Sequence, residues 1–218
     1  MNRYLTVSLI LITFFIILAS LVSPRLNPKI NETSSLVKAD SSAFLQINDS
    51  HYKPFDEFMI TMTNYGREVV WTLAAILLLV FGGWSGRKAV IVMAIAMIVL
   101  IPIGVIAKEA IGRPRPIIPE NDFLTAADSE FSFPSGHALI VSAGAAVMLA
   151  LFRDSYRKLV VSIGLTVEAA LVCFSRVYVG GHYPLDVIGG ILLGVAVAFI
   201  FMVATKRLDQ LLQPIAKT

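Results

Sequence analysis

Long apolar runs alternate with polar segments along the whole chain, and this pattern predicts helices that cross a membrane. A helix needs about 20 apolar residues to span the hydrocarbon core of a bilayer. The first run ends near Ala19 and Ser20, so a cleaved signal peptide is an alternative there, although its length favours an uncleaved span. Six runs reach or approach that length: 5–22, 69–84, 89–107, 138–152, 159–174 and 187–205. The predicted fold is therefore all-α, an integral membrane six-helix bundle with a short amphipathic region in its first outer loop.

The polar segments divide the chain into four parts. These are a first span, an outer loop, a core of five spans and a short tail, at 1–22, 23–67, 68–205 and 206–218. Two stretches of the outer loop have the pattern of short amphipathic helices that lie at a lipid surface, 43–47 and 55–62. Packing of this loop on the ends of the spans is the alternative.

Composition agrees with a membrane protein, and the placement of charge predicts its orientation. Only 15% of the residues are charged, against about 25% in a soluble domain, and the mean hydropathy is +0.77. Because cytoplasmic loops are enriched in lysine and arginine, both termini are predicted to be cytoplasmic, with the loops at 23–67, 108–134 and 175–186 outside. The cytoplasmic side then carries nine basic residues, opposed only by Asp154 and Asp209: Arg3, Arg87, Lys88, Arg153, Arg157, Lys158, Lys206, Arg207 and Lys217.

No stretch of the sequence is typical of a metal or nucleotide site. The single cysteine, Cys173, lies in an apolar run and has no partner for an intrachain disulfide. Cysteine and histidine do not occur at zinc spacing, and neither glycine-rich nucleotide-binding motif is present. We therefore expect no cofactor, no metal and no nucleic-acid partner, and the oligomeric state stays open.

Three polar stretches at the predicted outer ends of the spans carry groups that bind phosphate. The loop after the third span contains Lys108 and Arg115. The lysine ammonium group is a point charge and the arginine guanidinium is a planar fork, and both suit phosphate oxygens. Alone, such a loop more often contacts lipid headgroups. Arg113 in the same loop is expected to gather anionic headgroups rather than to bind the phosphate.

The second stretch leads into the fourth span through Ser135, Gly136 and His137. Ser135 is a good N-cap, and Gly136 allows the backbone to approach a ligand closely. A helix N-terminus offers free N–H groups and the positive end of a dipole, which favour an anion, and His137 is placed to exchange a proton there. An ordinary capped helix with a solvated histidine is the simpler interpretation of this stretch alone.

The third stretch contains Arg176, a further phosphate fork, and His182 four residues before Asp186. A carboxylate bound to one imidazole nitrogen fixes the tautomer and leaves the other nitrogen free to attack. Helix capping by Asp186 is the alternative. If the spans form one bundle, the three stretches together suit phosphoryl transfer without a metal: cations neutralise the oxygens, a nucleophile attacks in line and an acid protonates the leaving oxygen.

These stretches resemble the type 2 phosphatidic acid phosphatase superfamily, which also contains vanadium haloperoxidases and bacterial acid phosphatases. The resemblance covers about 40–205, and the signature positions occur in the family order and spacing: Lys108-x6-Arg115-Pro116, Pro134-Ser135-Gly136-His137 and Ser175-Arg176-x5-His182-x3-Asp186. It implies that His182 is a nucleophile that forms phosphohistidine, Asp186 its orienting partner and His137 the general acid. It also implies a phosphate cage of five residues: Lys108, Arg115, Ser135, Gly136 and Arg176.

The resemblance implies a metal-independent membrane phosphatase that acts on a phosphorylated lipid at the outer face. Candidate substrates are phosphatidic acid, phosphatidylglycerol phosphate and polyprenyl diphosphates, and an undecaprenyl- or dolichyl-diphosphate-specific enzyme is the alternative. A six-span lipid transporter or binding protein is the non-enzyme alternative, but only Glu168 is a polar residue within a span that suits it. A structural role is favoured for Glu168, and the hydropathy argues against a soluble haloperoxidase.

Overall fold

The computed structural model describes residues 2–49, 51–117, 130–203 and 205, and every regular element in them is helical. The predicted tail, 206–218, lies outside the described residues. A π-helical stretch, Met62–Val70, connects the fourth and fifth α-helices. The α-helices are α1 Arg3–Val22, α2 Ile30–Thr33, α3 Ser35–Asn48, α4 Lys53–Thr61, α5 Trp71–Phe81, α6 Gly83–Ile111, α7 Gly136–Leu151, α8 Tyr156–Tyr178 and α9 Pro184–Val203.

Five helical runs in the described residues are long and apolar enough to cross a membrane. They are α1, the continuous run Lys53–Phe81, α6, α8 and α9. The second run corrects the prediction that this span begins near residue 69, because the segment assigned to the loop is already helical. Its polar side chains have partners within the protein: Asp56, for example, accepts a hydrogen bond of 2.6 Å from the Tyr178 hydroxyl on α8.

Helix α7 is short, and it lies at the centre of the bundle. Its 16 residues correspond to about 24 Å, less than the ~30 Å of the hydrocarbon core. The non-helical stretch before it, from Ser132 to Ser135, is buried. Irregular backbone is tolerated at membrane depth where protein surrounds it. This stretch therefore adds to the length of chain that crosses the bundle with α7.

Glycines allow α9 to pack closely on α7. A Cβ atom on Gly190 would lie 2.6 Å from the Ser135 carbonyl oxygen, and one on Gly194 would overlap the Leu139 carbonyl oxygen and Ser142 Oγ. Close approach of this kind is typical of helices that associate through small residues in a membrane. The contact holds the beginning of α9 against the beginning of α7.

A partly buried hydrogen bond joins α5 to α8. Trp71 is buried, and its indole nitrogen donates a hydrogen bond of 2.8 Å to Glu168 Oε2. The ring also packs on Gly144 of α7, where a Cβ atom would overlap it. This geometry matches the structural role that the sequence favoured for Glu168.

We expect Gly194→Ala to destabilise the bundle, because the added methyl group overlaps backbone that cannot move away. Overpacking costs about 1–3 kcal/mol, equivalent to a fall in Tm of about 2–12 °C for a chain of this size. The matched control is Gly164→Ala in α8, where a Cβ atom would meet nothing within 4 Å. Thermal unfolding of the detergent-solubilised variants measures both, and equal melting temperatures would contradict the packing described here.

Candidate active site

Four helix ends bring the three polar stretches together. Lys108 lies in the last turn of α6, His137 in the first turn of α7, Arg176 in the last turn of α8 and Asp186 in the first turn of α9. Lys108 and His137 line a cavity of about 300 Å³, whereas Arg176 and Asp186 lie outside its lining. Its lining includes five predicted site residues: Lys108, Arg115, Gly136, His137 and His182.

His182 is buried, and its Nδ1 faces a carboxylate and a hydroxyl. Asp186 Oδ2 lies 3.7 Å from Nδ1, which is within ion-pair range but too long for a direct hydrogen bond. Ser132 Oγ lies 3.3 Å from the same nitrogen and donates a hydrogen bond of 2.5 Å to Asp186 Oδ2. Ser132 therefore links the carboxylate to the imidazole, a connection that the sequence did not predict.

The opposite nitrogen of His182 faces a cation. Arg115 Nη1 lies 3.2 Å from His182 Nε2 and donates a hydrogen bond of 2.6 Å to the Gly181 carbonyl oxygen. Burial lowers the pKa of His182 to about 4, an effect opposed by Asp186 and reinforced by the charges of Arg176 and Arg115. The imidazole is therefore neutral at pH 7, and Nε2 is its cavity-facing nitrogen.

Arg176 is held in place by a contact from the π-helical stretch and by a tight turn. Its Nη1 donates a hydrogen bond of 2.6 Å to Thr63 Oγ1, and Thr63 is itself buried. Gly180 has a φ of +88°, and a Cβ atom on Gly181 would lie 2.9 Å from Arg176 Nη2. Both positions favour glycine, because one has left-handed backbone and the other is covered by the guanidinium.

The beginning of α7 differs from the predicted N-cap. Ser135 occupies the cap position, but its side chain makes no capping hydrogen bond. Its Oγ is buried and has no hydrogen-bond partner among the described residues. The Ser135 N–H donates to the Asp186 carbonyl oxygen at 2.9 Å, and a Cβ atom on Gly136 would meet nothing within 4 Å. A hydroxyl and open space therefore lie together at the helix N-terminus, where an anion is stabilised.

Lys108 is buried and forms an ion pair with the exposed carboxylate of Glu130, at 2.8 Å. Arg115 Nε donates a hydrogen bond of 2.8 Å to the Glu130 carbonyl oxygen. An oxyanion therefore already occupies the position in front of Lys108, and it comes from a residue near the cavity mouth. A phosphate oxygen could replace it on the same ammonium group.

Arg113 corrects the expectation that it gathers headgroups at the surface. Its guanidinium is buried and donates hydrogen bonds of 2.6 Å to both Asp186 Oδ1 and Asp40 Oδ2. The guanidinium carbon also lies 4.3 Å from the centre of the Tyr183 ring. Asp40 in turn accepts a hydrogen bond from the Leu185 N–H at 3.0 Å. Arg113 therefore fixes the carboxylate that faces His182.

Arg67 is a further cavity residue that the sequence did not predict. It lies in the π-helical stretch, and its Nη1 is 3.4 Å from His137 Nδ1. Arg67 also pairs with the neighbouring Glu68. In the sequence, Arg67 belongs to a polar stretch just before an apolar run. That pattern is equally typical of a loop, so it did not indicate a site residue.

The arrangement combines a neutral imidazole with a ring of cations. Arg176, Arg67, His182 and Lys108 all lie close enough to His137 to act on its charge. No group of three or more histidine, cysteine, aspartate or glutamate side chains in the described residues is gathered as a metal site. Such a cavity can hold a polyanion beside a nucleophilic nitrogen and a second, proton-exchanging imidazole.

Comparison with known proteins gives consistent matches over most of the chain. A family model described as the PAP2 superfamily matches residues 86–209. An undecaprenyl-diphosphatase of Sulfolobus acidocaldarius is 36% identical over 177 residues, covering 78% of this chain and 82% of the relative. Undecaprenyl-diphosphatase BcrC of Bacillus subtilis is 30% identical over 165 residues, covering 75% and 80%. The solved transmembrane PAP2 type phosphatidylglycerolphosphate phosphatase of Bacillus subtilis has a TM-score of 0.68 at 25% identity, covering 92% of this chain and 96% of that one.

We expect Arg113→Met to destabilise the protein strongly, because it leaves the Asp40 and Asp186 carboxylates buried without their cation. Removing one partner of a buried ion pair costs about 3–5 kcal/mol. Asp40→Asn is the milder comparison, because Arg113 keeps its ion pair with Asp186 and the single amide oxygen can still accept from one of the two donors, Arg113 or Leu185. Thermal unfolding of both variants measures the difference. Wild-type stability in Arg113→Met would show that the ion pairs do not hold the site together.

Proposed function

This chain belongs to the PAP2 superfamily and is a membrane phosphatase, and we propose that it hydrolyses lipid phosphates through a phosphohistidine intermediate on His182. The observation that carries the proposal is the environment of that imidazole. Nδ1 faces Asp186 and Ser132, while Nε2 faces the cavity beside Arg115. A neutral histidine oriented by a carboxylate is an activated nucleophile.

In the first step, Nε2 of His182 attacks phosphorus as the bond to the leaving oxygen breaks. Asp186 stabilises the positive charge that develops on the imidazole, directly and through Ser132. His137 gives its proton to the leaving oxygen, in the role of general acid. The phosphate's negative charge offsets the cations around His137 and favours its protonated form when substrate is bound.

Five residues are proposed to hold the transferred phosphate. Lys108, Arg115 and Arg176 neutralise its oxygens, the Ser135 hydroxyl donates a hydrogen bond, and the Gly136 N–H completes the helix N-terminus. Fixed donors of this kind stabilise the charge that builds up in the transition state. In the second step, water attacks phosphorus, its proton passes to His137, and the bond between His182 and phosphorus breaks.

The substrate is proposed to be a phosphorylated membrane lipid whose chain leaves the cavity on an apolar side. Ile101, Gly104 and Val105 of α6 and Ile140 of α7 line the same cavity as the histidines. Both helices belong to the bundle, so this side can meet the acyl or isoprenoid chain while the cations hold the headgroup. Phosphatidic acid, phosphatidylglycerol phosphate and polyprenyl diphosphates all satisfy that description.

We infer that α7 is a sixth span and that both termini are cytoplasmic, with the cavity on the extracytoplasmic side. Arg3, Arg87 and Arg157 lie at the starts of α1, α6 and α8, opposite the ends that carry Lys108 and Arg176. Lys158 donates a hydrogen bond of 2.6 Å to Ser85, which joins two of those basic ends. Cytoplasmic placement of this end follows the enrichment of basic residues there. We also infer that α3 lies at the outer lipid surface.

A polyprenyl-diphosphate-specific phosphatase is the second candidate. Two relatives are named undecaprenyl-diphosphatase, and the cavity holds one cation, Arg67, beyond the predicted phosphate cage. A lipid transporter is less well supported, because the cations converge on a nucleophile rather than on a path through the membrane.

We expect His182→Ala to lower phosphate release by about 10³-fold or more, because no other group replaces the attacking nitrogen. Purified protein in detergent with EDTA is assayed on phosphatidic acid, phosphatidylglycerol phosphate and undecaprenyl diphosphate. His51→Ala is the matched control, since His51 pairs with Asp56 and does not line the cavity. Full activity in a folded His182→Ala variant would remove His182 as the nucleophile, and activity that returns only with added magnesium would contradict a metal-independent reaction.

A further inference from the structure

Arg67 lies beside His137, on a different element from the residues of the proposed phosphate cage. Its Nη1 is 3.4 Å from His137 Nδ1, and the side chain is 28% exposed within the cavity wall. Arg115, by contrast, lies 3.2 Å from His182 Nε2. The cavity therefore has a cation beside each histidine, and Arg67 is not among the residues proposed to hold the phosphate that His182 attacks.

In-line attack places the nucleophile and the leaving oxygen on opposite sides of phosphorus. If His137 protonates the leaving oxygen, the atoms next to Arg67 belong to the leaving group. In a lipid monophosphate the atom beyond that oxygen is carbon, which gives a guanidinium nothing to bind. In a lipid diphosphate it is a second phosphorus, whose oxygens match the guanidinium fork.

Resting on the proposed function, we propose that Arg67 binds the second, non-transferred phosphate of a lipid diphosphate. The terminal phosphorus is transferred to His182, and its bond to the bridging oxygen breaks. The leaving group is the lipid monophosphate: His137 protonates the bridging oxygen, and Arg67 pairs with the charge that the non-transferred phosphate already carries. Water then releases the terminal phosphate. The residue therefore makes the site selective for diphosphates over monophosphates.

The protein holds Arg67 at this place through its neighbours in the π-helical stretch. A Cβ atom on Gly66 would lie 2.5 Å from Val172 Cγ2 and 3.0 Å from Glu168 Oε1, so this turn packs directly on α8. Thr63, one turn earlier, accepts the hydrogen bond from Arg176. π-Helical turns are frequent at functional sites, and here the turn carries both a cage contact and the extra cation.

Among the described residues, Glu68 is the acidic partner of the Arg67 guanidinium, and its side chain is 49% exposed. An exposed ion pair contributes little to stability, and its exchange for a phosphate costs correspondingly little. The non-transferred phosphate also offers two free oxygens that match the guanidinium fork. Arg67 can therefore turn from Glu68 to the substrate without disturbing the buried part of the site.

The test compares farnesyl diphosphate with farnesyl monophosphate, because the two probes share one hydrocarbon chain. We expect Arg67→Gln to lower kcat/KM for the diphosphate by about 10- to 100-fold and to change that for the monophosphate by less than about threefold. Arg67→Lys should recover part of the loss, since it keeps the charge without the fork. The monophosphate is also measured as a competitive inhibitor, so that binding is compared even where turnover is slow.

Arg157→Gln is the matched control, because it makes the same chemical change at the exposed opposite end of α8. Equal losses of kcat/KM on both probes in Arg67→Gln would overturn the proposal. Arg67 would then act by positioning His137 or by supporting the fold. An unchanged rate on the diphosphate would overturn it as well. If unmodified protein releases phosphate from neither probe nor from the three lipids above, the proposed function itself fails, and that outcome is separate from any effect of Arg67.

Discussion

The buried guanidinium of Arg113 is the contact on which the rest of the site depends. It joins Asp40 of α3 to Asp186 of α9, and it comes from the loop after α6. The buried carboxylates of Asp40 and Asp186 would repel each other without a cation between them. The two ion pairs with Arg113 therefore fix where α3, α9 and the loop after α6 meet. Asp186 is in turn linked to the His182 imidazole by the Ser132 hydroxyl, and that imidazole lines the cavity. The outer segment α3 is therefore part of the site's support rather than a separate surface element.

Much of this arrangement was visible in the sequence. The apolar runs predict the helices that cross the membrane, and the spacing of the polar stretches places Lys108, His137, Arg176 and His182 at their ends. Periodicity and motif spacing are local properties of the chain. They predict where these residues lie because each motif is at the start or end of a helix. The family resemblance was confirmed by the match to residues 86–209. The membrane phosphatase activity follows from that family and its relatives.

The contacts that position these residues could not be predicted from the sequence. Arg113 is 73 positions from both of its carboxylate partners, and no pattern along the chain pairs them. The stretch around Thr63 and Arg67 looked like the end of a loop, because its polar residues interrupt the hydropathy. It is helical because Arg67 lines the cavity, Thr63 accepts a hydrogen bond from Arg176 and Gly66 packs on α8. Side-chain partners across helices, rather than local propensity, decide such segments.

The central claim is the covalent bond between phosphorus and His182, and trapping that intermediate tests it most directly. Unmodified protein is mixed rapidly with a lipid labelled in the transferred phosphate and quenched in alkali, which preserves a bond between nitrogen and phosphorus. Mass spectrometry of the peptides then locates the label. The account predicts label on His182, at a level that rises before free phosphate appears. Free phosphate that accumulates with no labelled protein, or label on another residue, would contradict it.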